Sequence, residues 1–260
     1  LLTKHRLHSR PQPPRATLKT LAAKERIDLS AQPALLLEPW SGKEAPCLPA
    51  MAIEEREGGW TLWLHTPAVA ERFTPGSALD TWLRNQADAY CTGNQWLPLL
   101  SPALAKASAF KVGEVQAALS VALELGTDGS LEHFRFSRSL IKPVASAGLE
   151  VLNALAERKP KSRTVPAALK GLKEQLGMIE QLIAVTGLLR QRRQAAGSLD
   201  LNLPLPAIDS LGDLAVPGPE SALVGWLVNL EPHHPLALLR EAVLLAEQAL
   251  GQHLATLALP

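Results

Sequence analysis

Apolar positions follow two periods along the chain, and the change of period marks the elements. Residues 34–38 are a short, nearly continuous apolar run and predict a buried strand. Residues 50–56 and 60–65 predict two more strands, and Glu57-Gly58-Gly59 between them predicts a hairpin turn. Apolar and polar positions alternate in 116–125, Asp128-Gly129 is a hairpin signal, and 131–141 is the returning strand. In that strand Phe134 and Phe136 fall on one face, with His133, Arg135 and Ser137 on the other. Helical spacing appears in 78–88, 146–158 and 235–257. It also appears in a longer stretch, 166–196, through Leu172, Leu176, Ile179, Leu182, Ile183 and Leu189. Pro166 suits the first turn of that helix, and Gly197 its end. Pro39 to Pro49 and residues 198–220 are loop by their proline and glycine content, and 222–230 predicts a strand. The expected fold class is α+β: a single mixed domain over 26–260 with an antiparallel-rich β core and packed helices. It follows an N-terminal arm, 1–25, in which Pro11, Pro13 and Pro14 prevent regular structure.

Composition narrows the function classes. With 47% apolar residues in 260, the chain can bury a sizeable core. The net charge of +1 creates no overall field toward nucleic acid or membrane. The charge is uneven, however: Lys4, Arg6, Arg10, Arg15, Lys19, Lys24 and Arg26 face only Glu25 at the start of the chain. Such an arm either contacts phosphate without sequence preference or is a solvated leader. The two cysteines, Cys47 and Cys91, form no C-x-x-C pair, which argues against structural zinc. No apolar run has the length of a membrane span, and no signal peptide opens the chain. The expectation is a cytoplasmic protein, cut at Leu1 from something longer, with no membrane partner.

Most isolated chemical signals are weak. Ser101, Ser120 and Ser139 lack the G-x-S-x-G elbow of serine hydrolases, and no phosphate-binding glycine loop is present. His233-His234 has no cysteine or acidic partner at ligand spacing. Arg190, Arg192 and Arg193, at the end of the long helix, either meet phosphate or interact with the helix C-terminus and water. Of the six tryptophans, Trp60 and Trp63 fall on opposite faces of their strand. Core packing is the main role expected for the six.

Several segments follow a fixed series of motifs. Arg26-Ile27-Asp28-Leu29 resembles an opening R-x-D-L, and His65-Thr66-Pro67-Ala68 an H-I-A-D. Pro75-Gly76-Ser77-Ala78-Leu79-Asp80 matches P-G-S-x-L-D closely. Ala89-Tyr90-Cys91-Thr92 resembles x-Y-L-P, and Leu97-Pro98-Leu99-Leu100-Ser101 resembles I-P-M-L-P. Ala118-Leu119-Ser120, Asp128-Gly129, Ser139-Leu140-Ile141-Lys142, Leu188-Leu189-Arg190 with Arg193, and Gly197-Ser198-Leu199-Asp200 follow in the same order. Residues 238–246 resemble a closing L-I-E-E-F-M helix. Each motif alone is weak, but in this order, over about residues 26–260, they resemble the catalytic (RNB) domain of the ribonuclease II and R family.

The resemblance implies Mg²⁺-dependent 3′-to-5′ hydrolysis of single-stranded RNA. Clustered carboxylates would hold the metal ions that activate water. The family pattern is I-D-P-x-x-A-x-D-x-D-D-A-I, and aligning its end on Ala52-Ile53 puts Leu48, Ala50 and Met51 at the clustered aspartates. Ala68 stands for the acid of H-I-A-D. Glu38 alone retains a carboxylate at a family position, with Glu44 a poorly placed second. The resemblance therefore implies a degenerate domain with no catalytic residue, no metal ligand and no cofactor, Mg²⁺ being needed only if it were active. The RNA-handling positions are Tyr90, which in the family stacks on the terminal base, with Arg190 and Arg193; the arginine expected before A-L-S is Gln116. The family's S-P-x-R-R-Y segment and its cold-shock and S1 domains are not in this sequence. A protein partner packing where the last part of the family domain would lie is the corresponding expectation. Three functions follow: an inactive homologue that binds RNA or protein, an active exoribonuclease fragment, and a structural assembly subunit.

Overall fold

Five strands with one small-residue face and one large-residue face curl into a closed barrel. They are β1 (Ile27–Glu38), β2 (Ala50–Arg56) and β3 (Gly59–Pro67), then, beyond a two-residue ladder of β4 (Tyr90–Cys91) and β5 (Trp96–Leu97), β6 (Gln116–Gly126) and β7 (Leu131–Gly148). The architecture is that of a computed structural model, which describes residues 12–38, 48–91, 96–158, 166–198 and 233–259. The side chains of Tyr90, Cys91 and Trp96 lie outside the described set, as do Cys47, Glu44 and the strand expected at 222–230. Neighbouring strands run β1-β2-β3-β6-β7, all antiparallel except β7 against β1, where a parallel ladder closes the barrel. The sequence predicted the hairpins β2–β3 and β6–β7 but not the closure, which rests on a pairing remote along the chain.

The two faces have different contents. Toward the bore point Ala34, Ala50, Ala52, Ala118 and Ala122, with Trp63 and Ile141. Outward, under the helices, lie Leu35, Leu37, Met51, Ile53, Leu62, Leu64, Val121, Leu123 and Leu125. A five-stranded barrel has room inside only for short side chains, so the larger apolar groups pack outward. Helices supply the other half of that layer: α3 (Leu149–Ala156), α4 (Leu176–Ala195) and α5 (Pro235–Thr256) bury Leu152, Leu155, Ile179, Leu182, Val185, Leu238 and Ala242 against the barrel. Two other helices, α1 (Ala78–Gln86) and α2 (Pro102–Ser108), form a separate cluster around Phe73, Leu79, Leu83 and Leu104. Ser77 and Ser101 cap them by accepting from Asp80 N and Leu104 N. No helix among the described residues is long and apolar enough to cross a membrane.

Several boundaries differ from expectation, among them the end of β7, which runs to Gly148 rather than to 141. The strand expected at 34–38 begins at Ile27, because the parallel ladder with β7 pairs Ile27 through Leu29 with Ser139 through Ile141. The helix expected from 146 starts at Leu149, since β7 stays paired with β1 up to Gly148. The helix expected over 166–196 is two pieces: a 3₁₀ segment, Ala167–Leu172, and then α4. Leu169 and Leu172, both buried, are three residues apart, a spacing that aligns them in a 3₁₀ turn.

Glycine is required at the β2–β3 turn. At Gly59 φ is +153°, and a Cβ would come within 1.9 Å of the Leu125 carbonyl oxygen. The described part of the basic arm is anchored: Lys19 N donates to Arg72 O, and Leu18 packs beside Phe73.

Candidate functional site

One end of the barrel gathers the positions that the resemblance assigns to the family's acids. Ala50 pairs with His65 and with Leu36, and Met51 with Leu64 and Leu35. The chain entering β2 at Leu48 therefore runs beside the end of β3 at Thr66 to Ala68, and beside Glu38 at the end of β1. The start of β6 completes this end, with Ala118 opposite Pro67. Leu48, Ala50, Met51, Ala68 and Glu38 thus converge although they are spread over thirty residues of sequence.

What converges is hydrocarbon. Ala50 and Met51 are fully buried, Ala68 is buried, and Leu48 packs half-buried against the main core. Alanine, leucine and methionine offer no oxygen to a hard cation, and Mg²⁺ requires near-octahedral oxygen ligands. Glu38 is exposed, and among the described residues no three His, Cys, Asp or Glu side chains are grouped to hold a metal ion. The residues at these positions do not fit the family's metal site. In its place, beside the same strand ends, is an apolar groove of about 360 Å³. Pro49, Leu64, Leu119, Val121, Phe136 and Leu250 line it. Leu119 and Leu250 are 46% and 44% exposed, so its rim is open to contact.

Polar groups that sequence reasoning missed hold this end in place. Arg26, with its side chain only 3% exposed, donates to Glu71 Oε2 at 2.6 Å and to the carbonyl oxygens of Ala22 and Ala118. It ties the beginning of β1 to the residues after β3 and to β6. His65 is fully buried in the bore, with Nδ1 2.7 Å from Ser120 Oγ, which in turn lies 2.5 Å from Ser139 Oγ. Burial pushes the imidazole pKa down to about 4, so the ring is neutral. The three small hydroxyl and imidazole residues sit at alternate positions of paired strands, a signal that could have placed them on one face.

The arginines lie elsewhere. Arg190 and Arg193 are near the C-terminus of α4, beside the β6–β7 turn, which is the far end of the barrel from the acid positions. Nine residues of β3 separate the two ends, roughly 25 Å at strand rise. Arg193 makes a bidentate pair with Glu241 of α5, at 2.9 and 2.8 Å, and Arg240 donates to the same carboxylate. Arg192 pairs with Asp128, whose pKa is drawn down to about 2, chiefly by hydrogen bonds from Ser130. Tyr90 belongs to the small β4–β5 ladder, opposite Leu97, with the α1–α2 region on either side of it in sequence. Gln116 is structural: it donates to Ala109 O and accepts from Lys111 N.

Solved structures share this architecture. An active-site mutant of the Dss1 exoribonuclease from Candida glabrata aligns over 99% of this chain and 34% of its own, at 14% identity and a TM-score of 0.67. Mycoplasma genitalium RNase R in complex with ribose-methylated single-stranded RNA aligns over 70% of this chain and 27% of its own, at 15% identity and a TM-score of 0.59. Yeast Ssd1, described as a pseudonuclease, aligns over 70% and 22%, at 16% identity and a TM-score of 0.54. The chain thus spans about a third of the Dss1 chain and less of the other two. No curated protein matches it. The sequence profile of the RNB domain matches residues 26–260, from the buried Arg26 anchor through the last helix, and a match over that much of the chain shows that this protein belongs to the RNB-domain family.

Proposed function

We propose that this chain is a catalytically inactive RNB-type exoribonuclease homologue that acts by binding RNA. The observation that carries the loss of chemistry is the residue type at the acid positions: Leu48, Ala50, Met51 and Ala68 are all apolar, and Ala50 and Met51 have no exposed surface, one facing the bore and the other the helices. A phosphodiester cleaved by metal-activated water needs several carboxylates in one place, and Glu38 alone does not supply them. RNA binding is supported by the retained barrel, a fold that in the RNase R complex accompanies bound single-stranded RNA. Yeast Ssd1 is a precedent for a pseudonuclease on the same fold. Tyr90 is the residue proposed to stack on a base, a contact worth roughly 1–3 kcal/mol. Arg190 is proposed as a phosphate contact at the far end, whereas Arg193 is already held by the Glu241 carboxylate.

The test is fluorescence anisotropy with a labelled single-stranded oligoribonucleotide in EDTA. Saturable binding that weakens with salt and drops about tenfold in Tyr90→Ala is expected. No binding at low salt would refute RNA recognition. The apolar groove favours a second reading, a protein-interaction module, because exposed hydrocarbon binds apolar partner side chains and gives phosphate nothing.

A further inference from the structure

The bore of the barrel contains polar atoms that the surrounding protein does not satisfy. Trp63 Nε1, His65 Nε2 and Ser137 Oγ are buried, and none has a hydrogen-bond partner. They share a face: Trp63 and His65 are alternate residues of β3, stacked with centroids 5.9 Å apart and planes 14° apart, and Ser137 pairs with Ser120, the neighbour of His65. A buried polar group left without a partner costs about 1–3 kcal/mol, and native proteins contain few.

The hydrogen-bond chain can place the proton of His65 on Nδ1. Ser120 Oγ lies 2.5 Å from Ser139 Oγ, and either hydroxyl can be the donor there. With the Ser120 proton given to Ser139, Nδ1–H of His65 donates to Ser120 Oγ across 2.7 Å. That arrangement is the Nδ1–H tautomer, with a lone pair at Nε2. Beside it Trp63 Nε1–H is a donor and nothing else.

One orphaned acceptor and one orphaned donor on stacked rings define what fits between them. A metal ion would face an N–H hydrogen at Trp63, and an anion would face the lone pair of His65. Water, the most abundant small species that does both, donates to one and accepts from the other. Around the pair the bore is lined by the short side chains of Ala50, Ala52, Ala118 and Ala122, together with Ile141. Buried polar groups that lack a protein partner are commonly satisfied by an internal water.

We propose that the bore is a hydration site in which bound water accepts from Trp63 Nε1–H, donates to His65 Nε2 and uses Ser137 Oγ as a further partner. The water locks the His65 tautomer and joins β3 to β6 and β7 through the Ser120–Ser139 chain. This inference does not depend on whether the chain cleaves or binds RNA.

Two measurements on the unaltered chain test it. A crystal structure at a resolution that reveals ordered water should show density within about 2.7–3.2 Å of Trp63 Nε1 and His65 Nε2, through one water or a hydrogen-bonded pair. A bore without density, or with direct contacts between these side chains, overturns the proposal. Long-range ¹H–¹⁵N correlation at neutral pH should show His65 protonated at Nδ1. Protonation at Nε2 overturns the donor–acceptor assignment and the site with it.

Discussion

Met51→Asp places a carboxyl at a position that the resemblance assigns to an acid, and should unfold the protein rather than activate it. Met51 has no exposed surface and is paired with Leu64 and Leu35 in the layer beneath the helices. Removing its side chain from a core costs about 2–5 kcal/mol. The carboxyl adds about 1–3 kcal/mol even when protonated, for want of a partner, and more when ionised. The total is about 5 kcal/mol, set against the ~5–15 kcal/mol that holds a domain folded. At about 2–4 °C per kcal/mol for a chain of this size, Tm should fall by 10 °C or more. Circular dichroism melts of the wild type, Met51→Asp and Met51→Leu decide the matter, with the leucine variant expected within about 1.5 kcal/mol of wild type. If Met51→Asp melts within two or three degrees of wild type, residue 51 is not in the core, and the mapping of the acid positions onto β2 is wrong.

Other residues give independent checks. His65 is neutral in the fold with its pKa near 4, against 6.5 ordinarily, so the unfolded chain takes up the proton first. Stability should be complete above about pH 6.5 and fall by up to roughly 3 kcal/mol toward pH 4; urea titrations at several pH values should show this slope, and His65→Gln should flatten it. Arg193→Met leaves the buried Glu241 with a weaker set of donors and should cost about 3–5 kcal/mol in the same titrations, with Glu241→Leu added to it restoring much of the loss. Gly59→Ala collides with the Leu125 carbonyl and should be far more destabilising than Gly58→Ala, which meets nothing within 4 Å and costs only about 1–2 kcal/mol for its positive φ. Equal melts for the two glycine variants would place the β2–β3 turn differently.

Local signals were legible where neighbours in sequence are neighbours in space. The Glu57-Gly58-Gly59 and Asp128-Gly129 turns fixed two hairpins, and Phe134 and Phe136 share a face as their spacing requires. The parallel closure of β1 on β7 was not legible, because residues 27–38 and 139–148 announce nothing about each other. The end of β3 and the start of β2 could be read as a degenerate site only through the resemblance to a family. Periodicity alone marks Ala50 and Met51 as ordinary strand residues, which in the fold they are. The ion pair of Arg193 with Glu241 was hidden for another reason: 48 residues separate them, and nothing in the end of α4 tells a phosphate contact from a buried pair.

Digestion of a 5′-labelled single-stranded RNA, with Mg²⁺ or Mn²⁺ and with EDTA, tests the central claim most directly. The account predicts intact RNA in every lane, with the hydrocarbon at Leu48, Ala50, Met51 and Ala68 as the cause. A ladder that appears with metal and disappears with EDTA would contradict it and place working carboxylates where none has been assigned.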